Sequence, residues 1–219
     1  MDEQQARAMA SQLRQPNGDD GIKTGEWMSD GNRFMILETL SVLDAQAGDR
    51  ILEIGMGNGH FVPEIVSKDT GISYSGCDFS ELMVRESEKN NREWVAKQQA
   101  EFIHTDGTSL PFADAAFDKI FTVNTIYFWE DRQAVLAEFR RVLKPNGLLI
   151  IGFRPKRLME NIPFTQFGFN LVSAEDVTGL LTANGFHILS IDENTEPPFE
   201  LNGKQITMEH AVVKARLNA

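Results

Sequence analysis

Three carboxylates and three glycines carry the strongest chemical signal in this chain: Glu53, Asp78 and Asp106, with Gly55, Gly57 and Gly59. The glycines lie in Ile51-Leu52-Glu53-Ile54-Gly55-Met56-Gly57-Asn58-Gly59-His60-Phe61, a buried-type strand that empties into a loop and then a helix. Glycine accepts positive φ and lets backbone amides approach a ligand, while a helix start offers N–H groups and the positive end of its dipole. This is the pattern of a nucleotide-like cofactor loop. The dinucleotide fingerprint is G-x-G-x-x-G; here the third glycine comes one residue early and Glu53 precedes the first, which argues against NAD. Asp78 closes the next strand about 20 residues past the loop, where one carboxylate can accept both hydroxyls of a ribose. Asp106, in His104-Thr105-Asp106-Gly107, is placed to accept from an exocyclic amine.

Positioning these groups requires strands that end on one edge of a sheet. Strands are expected at Arg50 to Ile54, Ser73 to Asp78, Glu101 to His104, Phe117 to Val123, Leu148 to Phe153 and Phe186 to Ile191, with a last one within Gln205 to Leu217. Between them fall helical stretches: a stripe of Phe34, Leu37, Leu40 and Leu43, a short helix from His60 to Ser67, and a long one capped by Ser80 that runs through Met83, Val84 and Trp94. Ala134 to Val142 is a further helix, ending near the turn Lys144-Pro145-Asn146-Gly147, and Asp176 to Asn184 is another, closed by Gly185. Strands alternating with helices imply a doubly wound α/β sheet, parallel and covered on both faces, with ligands at the carboxyl ends of the strands. Ahead of this, Asp2 to Gln15 can form a helix. The glycine-rich stretch from Gln15 to Gly31 reads either as a surface loop or as a lid that Trp27 and Met28 pin over a pocket. Residues 1–31 are thus expected to form an N-terminal helix followed by this loop or lid, and residues 32–219 one domain.

At 219 residues one substantial domain is the default. A formal net charge of −11 argues against a nucleic-acid partner, whose phosphates bind through Lys and Arg. No apolar stretch approaches the roughly 20 residues that span a bilayer, and Met1-Asp2-Glu3-Gln4-Gln5 has no basic or apolar leader, so a cytoplasmic location is expected. The single cysteine, Cys77, excludes an internal disulfide and a thiolate metal cluster.

Glu53 with the three glycines, Asp78, and Asp106-Gly107, in that order, resemble the class I S-adenosylmethionine-dependent methyltransferases. Leu110-Pro111-Phe112-Ala113-Asp114-Ala115-Ala116-Phe117-Asp118 and Glu138-Phe139-Arg140-Arg141-Val142-Leu143-Lys144-Pro145-Asn146-Gly147-Leu148 are similar to the small-molecule group within them. The resemblance implies a Rossmann-like sheet of seven strands, the last antiparallel. It also implies that Gly55, Gly57 and Gly59 lie against the methionine part of S-adenosyl-L-methionine near Glu53, that Asp78 binds the ribose, that Phe79 flanks the adenine, and that Asp106 and Gly107 meet the adenine amine and edge. S-adenosyl-L-homocysteine would be the product, and no metal is required.

Methyl transfer is an in-line displacement, so the protein chiefly aligns the acceptor and excludes water. Residues for this are expected in Asn124-Thr125-Ile126-Tyr127-Phe128-Trp129-Glu130-Asp131. Asn124 and Tyr127 have the N-x-x-Y spacing of the N-P-P-Y loop in amine methyltransferases, without its prolines, and are the candidate catalytic pair; Asn124 is also a candidate cofactor contact. Tyr127, Trp129, Phe164 and Phe167 are expected to wall the pocket of a small acceptor, with Trp27 and Met28 over it. Two other functions stay open: a nicotinamide-dependent oxidoreductase, and a binding module that holds the cofactor without turnover.

Overall fold

The computed structural model describes residues 1–201 and 204–218; residues 202, 203 and 219, which the expected 32–219 domain includes, lie outside them. In chain order its elements are α1 (Glu3–Arg14), α2 (Gly18–Gly31), α3 (Arg33–Leu43), β1 (Arg50–Ile54), α4 (Pro63–Val66), β2 (Ser73–Asp78), α5 (Glu81–Asn90), α6 (Arg92–Ala96), β3 (Ala100–His104) and β4 (Phe117–Val123). A 3-10 turn at Ile126–Phe128 leads to α7 (Arg132–Val142), β5 (Leu143–Phe153) and α8 (Lys156–Met159). Another at Pro163–Gln166 precedes α9 (Ala174–Ala183), β6 (Phe186–Thr195), the hairpin β7 (Phe199–Leu201) and β8 (Lys204–Ile206), and β9 (Glu209–Leu217).

Seven strands form one sheet in the order β3-β2-β1-β4-β5-β9-β6. All neighbours pair in parallel except β9, which runs antiparallel to both β5 and β6. Successive residues of a strand point to opposite faces, and the central strands are apolar at both phases. Leu52, Ile120, Ile151 and Val213 join a core closed by α7 and α9; Ile51, Phe121, Ile150 and Val212 join a second closed by α3 and α4. The expected doubly wound sheet, with one antiparallel strand, is therefore the observed one.

Helix starts follow local chemistry. Asp2 and Ser173 form capping boxes at α1 and α9, and the side chains of Ser80 and Asp131 accept the amides of Met83 and Ala134 to open α5 and α7.

Some expectations are corrected. Residues 18–31 form a helix and not a loop, because Gly21 and Gly25 serve close packing there: a Cβ on Gly21 would come within 2.8 Å of Leu82 Cδ2, and one on Gly25 within 3.1 Å of the Met83 sulfur. Trp27 consequently faces away from the packed side and is 54% exposed. In α3 the buried face is Met35, Thr39, Leu40 and Leu43, leaving Phe34 outside. The helix expected from His60 is one turn beginning at Pro63. The long helix through Trp94 breaks at Asn91, whose side-chain amide turns back to Ser87 O at 3.0 Å.

Candidate functional site

Going from β1 to β4 the chain order reverses, since β2 and β3 lie on one side of β1 and β4 and β5 on the other. A cleft opens outside the carboxyl ends at such a switch point. Here it is a cavity of about 430 Å³ that contains Glu53, the run Gly55 to Gly59, Asp78, Phe79, Asp106, Gly107 and Asn124 in its lining. All of the expected cofactor-side residues thus come together.

The glycine loop is held from both sides. Gly55, Gly57 and Gly59 all have positive φ, and the Gly55 amide donates to Cys77 O at 2.7 Å. Behind it, α5 and its cap supply three donors to three consecutive carbonyls: Ser87 Oγ to Gly57 O at 2.8 Å, Asn90 Nδ2 to Asn58 O at 3.0 Å and Asn91 Nδ2 to Gly59 O at 2.9 Å. A Cβ on Gly55 would collide with the Thr125 methyl, whereas one on Gly57 would meet nothing within 4 Å, because that side is the open cleft.

The two half-buried carboxylates, Glu53 and Asp78, are electrostatically distinct from Asp106. Burial raises Glu53 to about 7 against a hydrogen bond from the Tyr74 hydroxyl, which lowers it, and the nearby Asp78 adds to the rise. Burial likewise raises Asp78 to about 6, opposed by the amides of Ser80 (2.8 Å to Oδ1) and Gly57 (3.0 Å to Oδ2). Each Asp78 oxygen therefore has one backbone donor and a remaining lone pair. Asp106 is exposed, and the amide and hydroxyl of Thr108 (2.9 and 2.8 Å) hold it below the usual carboxylate range. Cys77 is buried and its thiol is pushed up to about 12, as a packed apolar side chain behaves.

The acceptor-side expectations divide. Met28 and Trp129 line the cavity, as does Asn124, which has φ of +58°. Tyr127 does not: the 3-10 turn points its ring into the core and offers Phe128 to the cavity instead. The Tyr127 hydroxyl accepts from the Arg154 amide, its one hydrogen lies between Arg154 O at 2.9 Å and Asn124 Oδ1 at 3.1 Å, and burial holds it well above the usual phenol range. Phe164 packs on Phe169 with ring centres 5.9 Å apart, and Phe167 receives the Arg7 guanidinium at 4.2 Å, so neither reaches the cleft. Trp27 is likewise absent from the lining, for the reason given above.

Residues not anticipated complete the wall. Asn32, between α2 and α3, lines the cavity, and its Oδ1 accepts from Asn124 Nδ2 at 3.1 Å. Arg14 at the end of α1 pairs with Glu130 across the mouth, and Ser29 Oγ meets Asn58 Oδ1 at 3.0 Å. Asn32 carries only a helix-cap signal in the sequence, and the partner of Arg14 is 116 residues away, so neither pairing is visible there. Among the described residues no group of three or more His, Cys, Asp or Glu could hold a metal ion, and no helix is long and apolar enough to cross a membrane.

Residues 52–151 match the family described as a methyltransferase domain. This core belongs to that family. The chain is 29% identical over 164 residues, 71% of its length, to an O-methyltransferase of Pyrenophora dematioidea, and 27% identical over 199 residues, 85% of its length, to O-methyltransferase resE of Aspergillus sclerotiorum. The alignments span 60% and 75% of those proteins. In fold it matches a chain of the complex between the Haloferax volcanii Trm112 methyltransferase activator and a methyltransferase, with a TM-score of 0.77, 17% identity and 98% of each chain covered.

Proposed function

We propose that this methyltransferase is a cytoplasmic enzyme that binds S-adenosyl-L-methionine in the cleft and transfers its methyl group to a small-molecule acceptor by in-line displacement. The observation that carries the reading is the convergence of Glu53, the glycine loop, Asp78, Phe79 and Asp106-Gly107 on one cavity at the sheet's switch point. The residues present fit the group. The open side of Gly57 admits close approach of a ligand, and the remaining lone pairs of Asp78 suit a ribose diol. Phe79 offers a half-exposed ring to an adenine, and Asp106 an exposed acceptor to its amine.

When bound, S-adenosyl-L-methionine supplies an electrophilic methyl on a sulfonium. The chain's own work is then to orient and to exclude water. Glu53 and the loop hold the amino-acid end, Asn124 stands beside the reacting region, and Trp129, Phe128 and Met28 present apolar surface to the acceptor. Residues 1–31 act as the cover of the site, latched by Arg14 to Glu130 and by Ser29 to Asn58; residues 32–219 form the domain beneath. The names of two further relatives, a 27-O-demethylrifamycin SV methyltransferase and a demethylmenaquinone methyltransferase, support a small acceptor. Isothermal titration with S-adenosyl-L-methionine and S-adenosyl-L-homocysteine tests the reading: both are expected to bind, and no heat at high micromolar ligand would overturn it.

A further inference from the structure

This inference rests on the methyl-transfer reading of the cleft and concerns what Asn32 faces there. Two donors converge on its side-chain oxygen: Asn124 Nδ2 at 3.1 Å and Arg154 Nη2 at 3.4 Å. Arg154 is itself fixed. It is 4% exposed, pairs with Glu196 at 2.9 Å, and donates to Gly31 O and Glu209 O at 3.1 Å each. With the oxygen held by these donors, the amide nitrogen of Asn32 is its other polar group, on a residue that lines the cleft, and among the described residues it has no acceptor.

The neighbouring side chains are hydrogen-bonded to one another. Asn124 Oδ1 has the Tyr127 hydroxyl at 3.1 Å, whose one hydrogen also faces Arg154 O at 2.9 Å, and Asn124 Nδ2 spends one hydrogen on Asn32 and keeps one. Thr125 Oγ1 accepts from Trp129 Nε1 at 3.2 Å and is shared with Thr122. Asn32 and Asn124 therefore have hydrogens on nitrogen left to give, while the side-chain oxygens of Asn32 and Thr125 are already engaged. An amine or ammonium needs the reverse, oxygens to receive its own hydrogens, whereas a carboxylate, carbonyl, phenolate or hydroxyl oxygen fits. A site that donates to an oxygen disfavours a ligand that lacks it, because its polar groups then lose that partner.

We infer that Asn32, with the remaining hydrogen of Asn124, is a specificity-determining donor pair that reads a ligand oxygen. The same chemistry has two sources, the carboxylate at the amino-acid end of the cofactor and an oxygen of the acceptor.

Asn32→Asp separates them, since it keeps an oxygen for Asn124 and Arg154 while turning the free donor into a charged acceptor; Asn32→Ala is the second variant. Each would be titrated with S-adenosyl-L-homocysteine and with 5′-methylthioadenosine, which lacks the amino-acid part. Each would also be assayed for transfer of labelled methyl from S-adenosyl-L-methionine to a mixture of phenols, hydroxy acids and amines. Wild-type binding of S-adenosyl-L-homocysteine tests the parent reading by itself. Both variants are expected to unfold at a temperature close to that of the wild type. A loss of about tenfold or more for S-adenosyl-L-homocysteine, with 5′-methylthioadenosine held, assigns the oxygen to the carboxylate. Unchanged binding of both, with transfer to hydroxylated acceptors reduced about tenfold or more, assigns it to the acceptor. Equal loss of both ligands overturns the inference. So does unchanged binding combined with unchanged transfer, with transfer to amines alone, or with no transfer to any oxygen acceptor.

Discussion

Asp78→Asn sets two opposing effects on folding against one effect on binding, and the distances allow each to be sized. Burial raises the carboxyl from 3.8 to about 6, so at a pH near 8 holding it ionised costs the fold about 3 kcal/mol, which a neutral side chain of the same shape would relieve. Against this, the two oxygens each receive a backbone N–H, from Ser80 at 2.8 Å and Gly57 at 3.0 Å. An amide has only one oxygen, so one donor is left facing another donor at a cost of about 1 to 3 kcal/mol. The two nearly offset, and the urea unfolding free energy of the unliganded variant is expected within about 2 kcal/mol of the wild type. No such offset exists for the ligand: the ribose diol loses a charged acceptor, and affinity for S-adenosyl-L-homocysteine should fall about tenfold to a hundredfold by titration calorimetry. Affinity held within about twofold would refute the ribose assignment. A stability loss above about 4 kcal/mol would instead make Asp78 a clamp for the glycine loop.

Gly57→Ala places its methyl in the open cleft at a φ of +58°, so it should cost the fold only about 1 to 2 kcal/mol while lowering S-adenosyl-L-homocysteine affinity. Gly55→Ala, driven into Thr125, should lower the melting temperature more than Gly57→Ala does; equal melting temperatures would contradict the packing. With Glu53 at about 7 and Asp78 at about 6, the folded state keeps protons that the unfolded chain releases near its ordinary values of 4.5 and 3.8. The contribution of these two groups to stability is thus largest below about pH 4 and declines as pH rises through about 7; urea midpoints at about pH 5 and pH 8 should show the decline, and Glu53→Gln should flatten it. Arg154→Met leaves Glu196 buried without its cation and should cost about 3 to 5 kcal/mol in chemical unfolding. The double change Arg154→Met with Glu196→Leu should recover part of that loss, the remainder being the contact that the buried His210 Nδ1 makes with Glu196 at 3.0 Å, and a double variant no more stable than Arg154→Met would count against the pair.

Cofactor-side residues were legible because each sits at the end of a strand, and strand ends follow from local signals: a run of apolar residues, then glycine or a carboxylate. Glu53, Asp78 and Asp106 needed no knowledge of distant contacts to be singled out. The acceptor side depends on contacts that the sequence does not carry. Tyr127 and Phe128 are adjacent aromatics, and only the 3-10 turn decides which of them faces the cleft. The glycines of residues 18–31 read as turn formers until Leu82 and Met83 are brought against them, at which point they permit close helix packing. Phe164 and Phe167 look like pocket walls by composition, yet they are taken up by Phe169 and by an arginine from α1. The seven-strand sheet was legible in its alternation of helix and strand, while the antiparallel run of its last strand came only through family likeness and the strand order only with the structure.

The place of β9 in that order has a consequence for how the molecule is made. Within the sheet β6 pairs with β9 alone, and β9 also completes the outer side of β5. β6 and β5 both precede β9 in the chain, so until residues 209–217 are in place β5 has one unpaired edge and β6 has no partner in the sheet. β1 likewise lacks one neighbour until β4, at residues 117–123, is in place. Docking of β9 is therefore the step that closes the far half of the sheet, and until it occurs the facing edges of β5 and β6 are open to a chaperone or to another chain.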